Sequence, residues 1–225
     1  MKIYAHRGFS GKFVEGTRTA YEAAIEIGAD GMECDIRLTR DGELICFHDR
    51  TLERLAGKDG IVSRMTINEI QERFDVLKFD ELMDIAIKGM VDLLVETKHP
   101  VRTGGKVERK VIAALEARAQ EINEAGIRIL IMSFSFLVVL RARRRYPHVG
   151  YVVKKPWRLR FIPTNIVALG FWLVDKKPEL LEKLRDKEVL VWTLNEVEDL
   201  QRAKSLGLTE IITNFPDRAL EVFRS

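Results

Sequence analysis

With 225 residues, 46% of them apolar and 32% charged, the chain has the composition of a globular domain and not of a disordered or fibrous protein. A domain of that length buries roughly 70% of its unfolded surface and needs no disulfide staples. Lys and Arg (37) exceed Asp and Glu (34) by a formal charge of +3, which gives no ground for a nucleic-acid partner.

The two cysteines, Cys34 and Cys46, make no disulfide framework and suit a reducing compartment. Met1 to Arg7 lacks the apolar stretch of a secretory signal, and no apolar run approaches the roughly 20 residues of a membrane span. The expected location is therefore cytoplasmic. Charge is unevenly spread. Ala125 to Val174 holds Arg128, Arg141, Arg143–Arg145, Lys154, Lys155, Arg158 and Arg160 with no acid, which leaves the rest of the chain net acidic.

In chain order, β-rich runs are predicted at Ile3–Ala5, Gly31–Leu38, Leu93–Glu96, Arg128–Met132, Val149–Val153, Ile166–Leu169, Val189–Trp192 and Glu210–Thr213. A short segment, Leu44–Phe47, pairs back on the second strand through a turn at Asp41-Gly42. Helical stretches lie between the strands. Thr17–Ile27 opens on a capping threonine and stops at Gly28. Further stretches are Ile67–Arg73, Lys106–Ala125, Phe136–Arg145, Glu179–Asp186, Glu196–Leu206 and Asp217–Arg224, with Gly126 and Gly207 as stops. Arg50 to Ser63 is weakly periodic and reads as an excursion over one face of the fold.

Eight strands alternating with helices in this length give the arithmetic of a (β/α)8 TIM barrel, a single domain over 1–225 with a short insertion at about 50–64 after the second strand. The rival is a doubly wound open sheet. It would show a Gly-rich phosphate turn after the first strand, where this chain has His6-Arg7-Gly8.

Chemistry in such a barrel collects at the C-terminal strand ends. Alternation puts Glu33 and Asp35 on one side of their strand and Cys34 on the other, against the helices. Two acids so placed are either a hard-cation site or solvated strand-end charges. Glu96 and Lys98 share a side in the same way, as a third carboxylate with a phosphate-neutralising lysine or as an internal ion pair. His6 and His48 end strand segments and suit acid–base work, and Arg7 offers a fork for an anion. His148 reads as an exposed loop residue, and His99 as a structural or rim residue. Removing an acid from the cluster should relieve repulsion in the metal-free protein.

In this order, His6-Arg7-Gly8, Glu15-Gly16-Thr17, Glu33-x-Asp35, His48-Asp49, Glu96-x-Lys98 and Trp192-Thr193-Leu194-Asn195 resemble the motifs of the glycerophosphodiester phosphodiesterases, from His6 to about Pro216. The resemblance implies the same barrel and a metal-dependent hydrolase releasing glycerol 3-phosphate and an alcohol from glycerophosphodiesters. It further implies Glu33, Asp35 and Glu96 as ligands of Mg²⁺ or Ca²⁺. His6 and His48 would then be the acid–base pair, Arg7 and Lys98 phosphate binders, Trp192 a pocket wall, and Glu15 a neighbour of the metal shell. Two departures stand out. The turn Val14-Glu15-Gly16-Thr17 lacks the family's Pro and Asn, and Asn214 stands where the family often has Asp. The insertion after His48 is short for the family, which implies an open pocket.

Two other readings differ in class. A non-catalytic phosphodiester-binding barrel is opposed by the expected residue type at every catalytic position. A lysophospholipase D-type enzyme would work at a membrane surface. For that reading, residues 154–163 interleave Lys154, Lys155, Arg158 and Arg160 with Trp157, Leu159, Phe161 and Ile162, as a peripheral contact with anionic lipid requires. The same apolar residues could instead pack on the barrel.

Overall fold

The structure, a computed structural model, describes residues 1–99 and 104–224. Its strands are β1 (Lys2–His6), β2 (Gly31–Leu38), β3 (Leu44–Cys46), β4 (Asp92–Thr97), β5 (Ile129–Ser133), β6 (Val149–Val153), β7 (Ile166–Gly170), β8 (Glu188–Trp192) and β9 (Glu210–Thr213). All but β3 run parallel, each paired to the next, and β1 pairs with both β2 and β9, so the sheet closes into an eight-stranded barrel. The antiparallel β3 lies outside on β2, as the Asp41-Gly42 turn predicts.

Closure follows from side-chain parity. Tyr4, Leu94, Leu130, Val152, Ala168, Leu190 and Ile212 fill the interior. Residues of the opposite parity, Ile3, Ala5, Cys34, Val95 and Ile131 among them, join the larger cluster beneath the helices. Cys34 packs in that layer as predicted, and both cysteines are free and buried.

The helices are α1 (Arg18–Glu26), α2 (Glu53–Ala56), α3 (Ile67–Gln71), α4 (Phe79–Gly89), α5 (Lys106–Ala117), α6 (Ala119–Ala125), α7 (Phe136–Ala142), α8 (Phe171–Lys176), α9 (Glu179–Lys183), α10 (Val197–Ser205) and α11 (Pro216–Arg224). Thr17 caps α1, its side chain accepting from the Ala20 N–H, a contact worth about 1 kcal/mol. The predicted helix Lys106–Ala125 is two helices. The chain leaves helical geometry at Arg118 (φ −112°, ψ 16°), whose guanidinium is held by Asp84 at 2.7 Å and Glu121 at 2.6 Å. Neither α4 nor α8 was predicted.

The insertion has a small core of its own. Leu52 and Val62 pack with Ile45, Phe47, Ile67 and Ile70, apart from the main cluster. This anchors α2 near the C-terminal strand ends. No helix among the described residues is long and apolar enough to cross a membrane.

Candidate active site

The floor of the site is set by register. His6 on β1 is level with Glu33 on β2, and Asp35 on β2 is level with Glu96 on β4. Glu33, Asp35 and Glu96 point inward and are buried, with oxygen atoms all within 4.8 Å of one another. Lys98 bridges two of them, its Nζ lying 2.7 Å from Asp35 Oδ1 and 2.7 Å from Glu96 Oε1. Arg7 Nε reaches the other Asp35 oxygen at 2.8 Å.

Arg7 achieves this with a left-handed backbone (φ 58°), unusual for a side-chain-bearing residue. Its N–H is fixed by the Glu33 carbonyl at 2.9 Å and faces the Glu33 carboxylate at 3.2 Å. Gly8 follows at φ 78°, where a Cβ would come within 2.6 Å of the α1 backbone at Ala20. The His-Arg-Gly sequence is thus a tight turn that aims a guanidinium back into the barrel.

Electrostatics divides the three acids. Burial alone would raise the Asp35 carboxyl, but the Lys98 and Arg7 charges bring it down to about 2. Burial and then the Asp35 charge push Glu33 well above the usual carboxylate range. The same two causes raise Glu96 to about 7. The protein's own cations therefore favour the charge on Asp35, whereas burial and the Asp35 charge disfavour it on Glu33 and Glu96 despite the Lys98 contact to Glu96. Three buried hard-oxygen donors, two of them with charge incompletely offset, fit a divalent metal ion.

The two histidines are oriented by different partners. His6 Nδ1 lies 2.6 Å from Asn214 Oδ1, which also accepts from the Ser10 hydroxyl at 3.2 Å. Burial and then the Arg7 charge push the His6 imidazole down to about 4. His48 Nδ1 lies 2.7 Å from a carboxylate, Asp49. Because both partners are acceptors, both Nδ1 atoms carry hydrogen; His6 Nε2 then faces Glu33 Oε2 at 3.8 Å on the cleft floor.

A residue that sequence reasoning missed joins these parts. Arg54, on α2, donates to both oxygens of Glu15 at 2.9 and 2.6 Å and to Asp49 at 2.5 Å. Glu15 in turn holds Arg7 Nη1 at 2.9 Å. An unbroken chain, Arg7–Glu15–Arg54–Asp49–His48, links the end of β1 to the second histidine. No periodicity in the insertion signals Arg54. Glu15 sits against these two arginines and not against the carboxylate cluster.

A cleft of about 1010 Å³ opens over this floor at the C-terminal strand ends. His6, Arg7, Glu33, His48, Glu96 and Lys98 line one part of it, and Trp192, the predicted wall residue, lines the far side. Trp192 meets Phe134 and Trp172 edge to face, at 5.5 and 5.1 Å between ring centres. Asp35 lies just beneath. His99 reaches the rim, tied to the buried Glu108 at 3.3 Å, whereas His148 is exposed and remote. The basic loop after β6 splits its apolar residues. Leu159 and Ile162 lean on the core, while Trp157 and Phe161 are 62% and 73% exposed.

Residues 6–218 match the Glycerophosphoryl diester phosphodiesterase family. The chain is 36% identical to a Mycobacterium tuberculosis protein named "Probable glycerophosphodiester phosphodiesterase 1", over 96% of this chain and 90% of that one. It is 30% identical to the Glycerophosphodiester phosphodiesterase of Caldanaerobacter subterraneus, over 99% and 97% of the two chains. Its fold superposes with a TM-score of 0.82 on an Oleispira antarctica phosphodiesterase solved in complex with the product sn-glycerol-3-phosphate, at 22% identity over 100% and 97% of the chains.

Proposed function

Because the chain belongs to the glycerophosphoryl diester phosphodiesterase family, we propose that it hydrolyses glycerophosphodiesters to glycerol 3-phosphate and an alcohol. One observation supports the reading above the others. A carboxylate cluster, two histidines each held through Nδ1, and the cations Arg7 and Lys98 meet at a single cleft.

In this reading Glu33, Asp35 and Glu96 hold one divalent cation, Mg²⁺ or Ca²⁺. When bound, that ion supplies Lewis-acid neutralisation of phosphate charge. Arg7 and Lys98 donate charge-assisted hydrogen bonds to phosphate oxygens. The differing partners support one division of labour between the histidines. His6, backed by the neutral Asn214 amide, stays unprotonated and takes a proton from the attacking hydroxyl, of water or of the glycerol 2-position. Burial lowers His48 as well, with the Asp35 charge and the Asp49 hydrogen bond opposing it, and in this reading His48, backed by the Asp49 carboxylate, gives the proton to the departing alcohol. With water attacking, one P–O bond forms, the P–O bond to the alcohol breaks, and the proton His6 takes is matched by the one His48 gives. With the 2-hydroxyl attacking, the same exchange leaves a cyclic phosphate, which water then opens to glycerol 3-phosphate with His48 taking the proton and His6 giving one back.

The test is release of glycerol 3-phosphate from glycerophosphoglycerol with Mg²⁺ or Ca²⁺ and with EDTA. Turnover that stops in EDTA and returns with metal is expected. No turnover by folded, metal-supplied protein overturns the reading.

A second reading rests on the exposed Trp157 and Phe161 among Lys154, Lys155 and Arg160, beside the cleft. We propose that this loop touches anionic membrane from the cytoplasmic side and admits lysophospholipids. Co-sedimentation with anionic but not neutral vesicles is expected, reduced in a Trp157→Ala, Phe161→Ala variant. Absence of wild-type binding at low salt removes the membrane role.

A further inference from the structure

We infer that the cleft selects glycerophosphodiesters whose head-group alcohol is itself anionic, such as one bearing a phosphomonoester, over those with a neutral or quaternary ammonium head. This rests on the diesterase reading above and specifies its substrate class. The cleft of about 1010 Å³ holds far more than a glycerol phosphate fills. The part not used by the carboxylates and histidines is bordered by Arg37, Arg50, Arg141, Lys154 and Arg158, and the only further acid lining it among the described residues is Asp49. Asp49 is already bonded to Arg54 and His48.

Arg141 is paired with Glu108 at 2.9 Å. Arg37, Arg50, Lys154 and Arg158 have no carboxylate at ion-pair distance among the described residues. Arg37 and Arg158 are held by main-chain oxygens instead, the carbonyls of His48 at 2.8 Å and Phe134 at 2.7 Å. Five cations thus border the cleft beyond the carboxylate floor, and four of them have no carboxylate at ion-pair distance among the described residues. Arg141, Lys154 and Arg158 come from the acid-free stretch Ala125 to Val174, while Arg37 and Arg50 come from β2 and the insertion.

At Phe134, among the cleft's aromatic side chains, the contact a choline-like group needs is already taken. Recognition of a quaternary ammonium needs an open aromatic face. Lys154 Nζ lies 5.5 Å from the centre of the Phe134 ring, so the protein's own ammonium already makes that contact. Like charge around it repels a second cation, whereas a phosphomonoester is drawn in and gains speed of encounter at low salt.

The experiment compares two water-soluble substrates that differ by one group, glycerophosphoinositol and glycerophosphoinositol 4-phosphate, with Mg²⁺ present and no lipid. At low salt, kcat/KM is expected to favour the phosphorylated substrate by about tenfold, with the ratio falling toward one in about 0.5 M NaCl. The ratio should shrink in an Arg50→Gln, Lys154→Gln variant and persist in Lys154→Arg. Equal kcat/KM for the two substrates, or a ratio unmoved by the double variant, overturns the head-group inference alone. Hydrolysis of neither, with Mg²⁺ or with Ca²⁺, by folded protein that turns over glycerophosphoglycerol also overturns the head-group inference alone, and failure on glycerophosphoglycerol as well overturns the diesterase reading with it.

Discussion

At the residue scale, the three carboxylates that look equivalent in sequence are not equivalent in the fold. Asp35 is the counter-charge of both Lys98 and Arg7, at 2.7 and 2.8 Å. The expectation that losing any acid relieves repulsion therefore holds for Glu33 and fails for Asp35. Glu33→Gln removes a group that burial already drives toward its neutral form, so metal-free stability should hold or rise. Asp35→Asn removes the buried carboxylate that Lys98 and Arg7 share, leaving Lys98 only Glu96 and Arg7 only Glu15, and should cost about 3 kcal/mol. Denaturant unfolding in EDTA checks the contrast, and equal loss in the two variants contradicts it. Both variants should lose turnover. Alternation along β2 and β4 was enough to bring these residues together on paper. Which acid the cations choose was not legible, because it depends on the left-handed turn at Arg7.

At the element scale, the insertion shows how a segment with little pattern becomes part of a site. Its small core fixes α2, and α2 carries Arg54 to Glu15 and Asp49. Arg54→Met keeps the stem and removes the charge-assisted bonds, so Arg7 and His48 lose their shared brace. A fall in kcat of about tenfold or more with little change in melting temperature is expected, since Arg54 is half-exposed and its loss buries no unpaired charge. Unchanged kcat would show that the two loops hold their own positions. The strands and β3 were legible because each shows a period or a turn signal. Arg54 was not, because a short helix in an insertion has no face long enough to repeat.

The α5 helix gives a second case at this scale. Glu108 in its first turn is buried between His99 and Arg141, at 3.3 and 2.9 Å. Burial would raise its carboxyl, but the His99 hydrogen bond and the nearby charges lower it on balance. A carboxyl lowered on folding contributes stability above its ordinary value near about 4.3, and that contribution is lost as pH falls through the lower folded value. Glu108→Gln should therefore flatten the acid limb of stability below about pH 4.5 while lowering stability at neutral pH. An unchanged acid limb in melting temperature against pH contradicts the assignment.

At the scale of the molecule, the barrel has two charged ends with an apolar middle between them. The composition and the eight-fold alternation made the barrel legible, and the strand ends located the site. The second charged end was not legible, because its residues are scattered over five strands and their flanks and meet only on closure. There Lys2 and Tyr4 meet Asp92, at 2.6 and 3.3 Å, and Arg128 reaches Glu188 and Glu210. In a TIM barrel the N-terminal end serves stability and the C-terminal end serves chemistry. Arg128→Met tests that division in this chain. It leaves Glu210 buried beside Glu188 without its cation, and burial already raises the Glu210 carboxyl. The loss should be about 3 kcal/mol, seen as a lower denaturant midpoint. The interior layer of Leu94, Leu130, Leu190 and Ile212 lies between this cluster and the carboxylates Glu33, Asp35 and Glu96. At a temperature where the variant is folded, kcat and the metal concentration for half-maximal rate should match the wild type. A changed kcat in the folded variant would mean that the two ends are coupled through the barrel's packed interior.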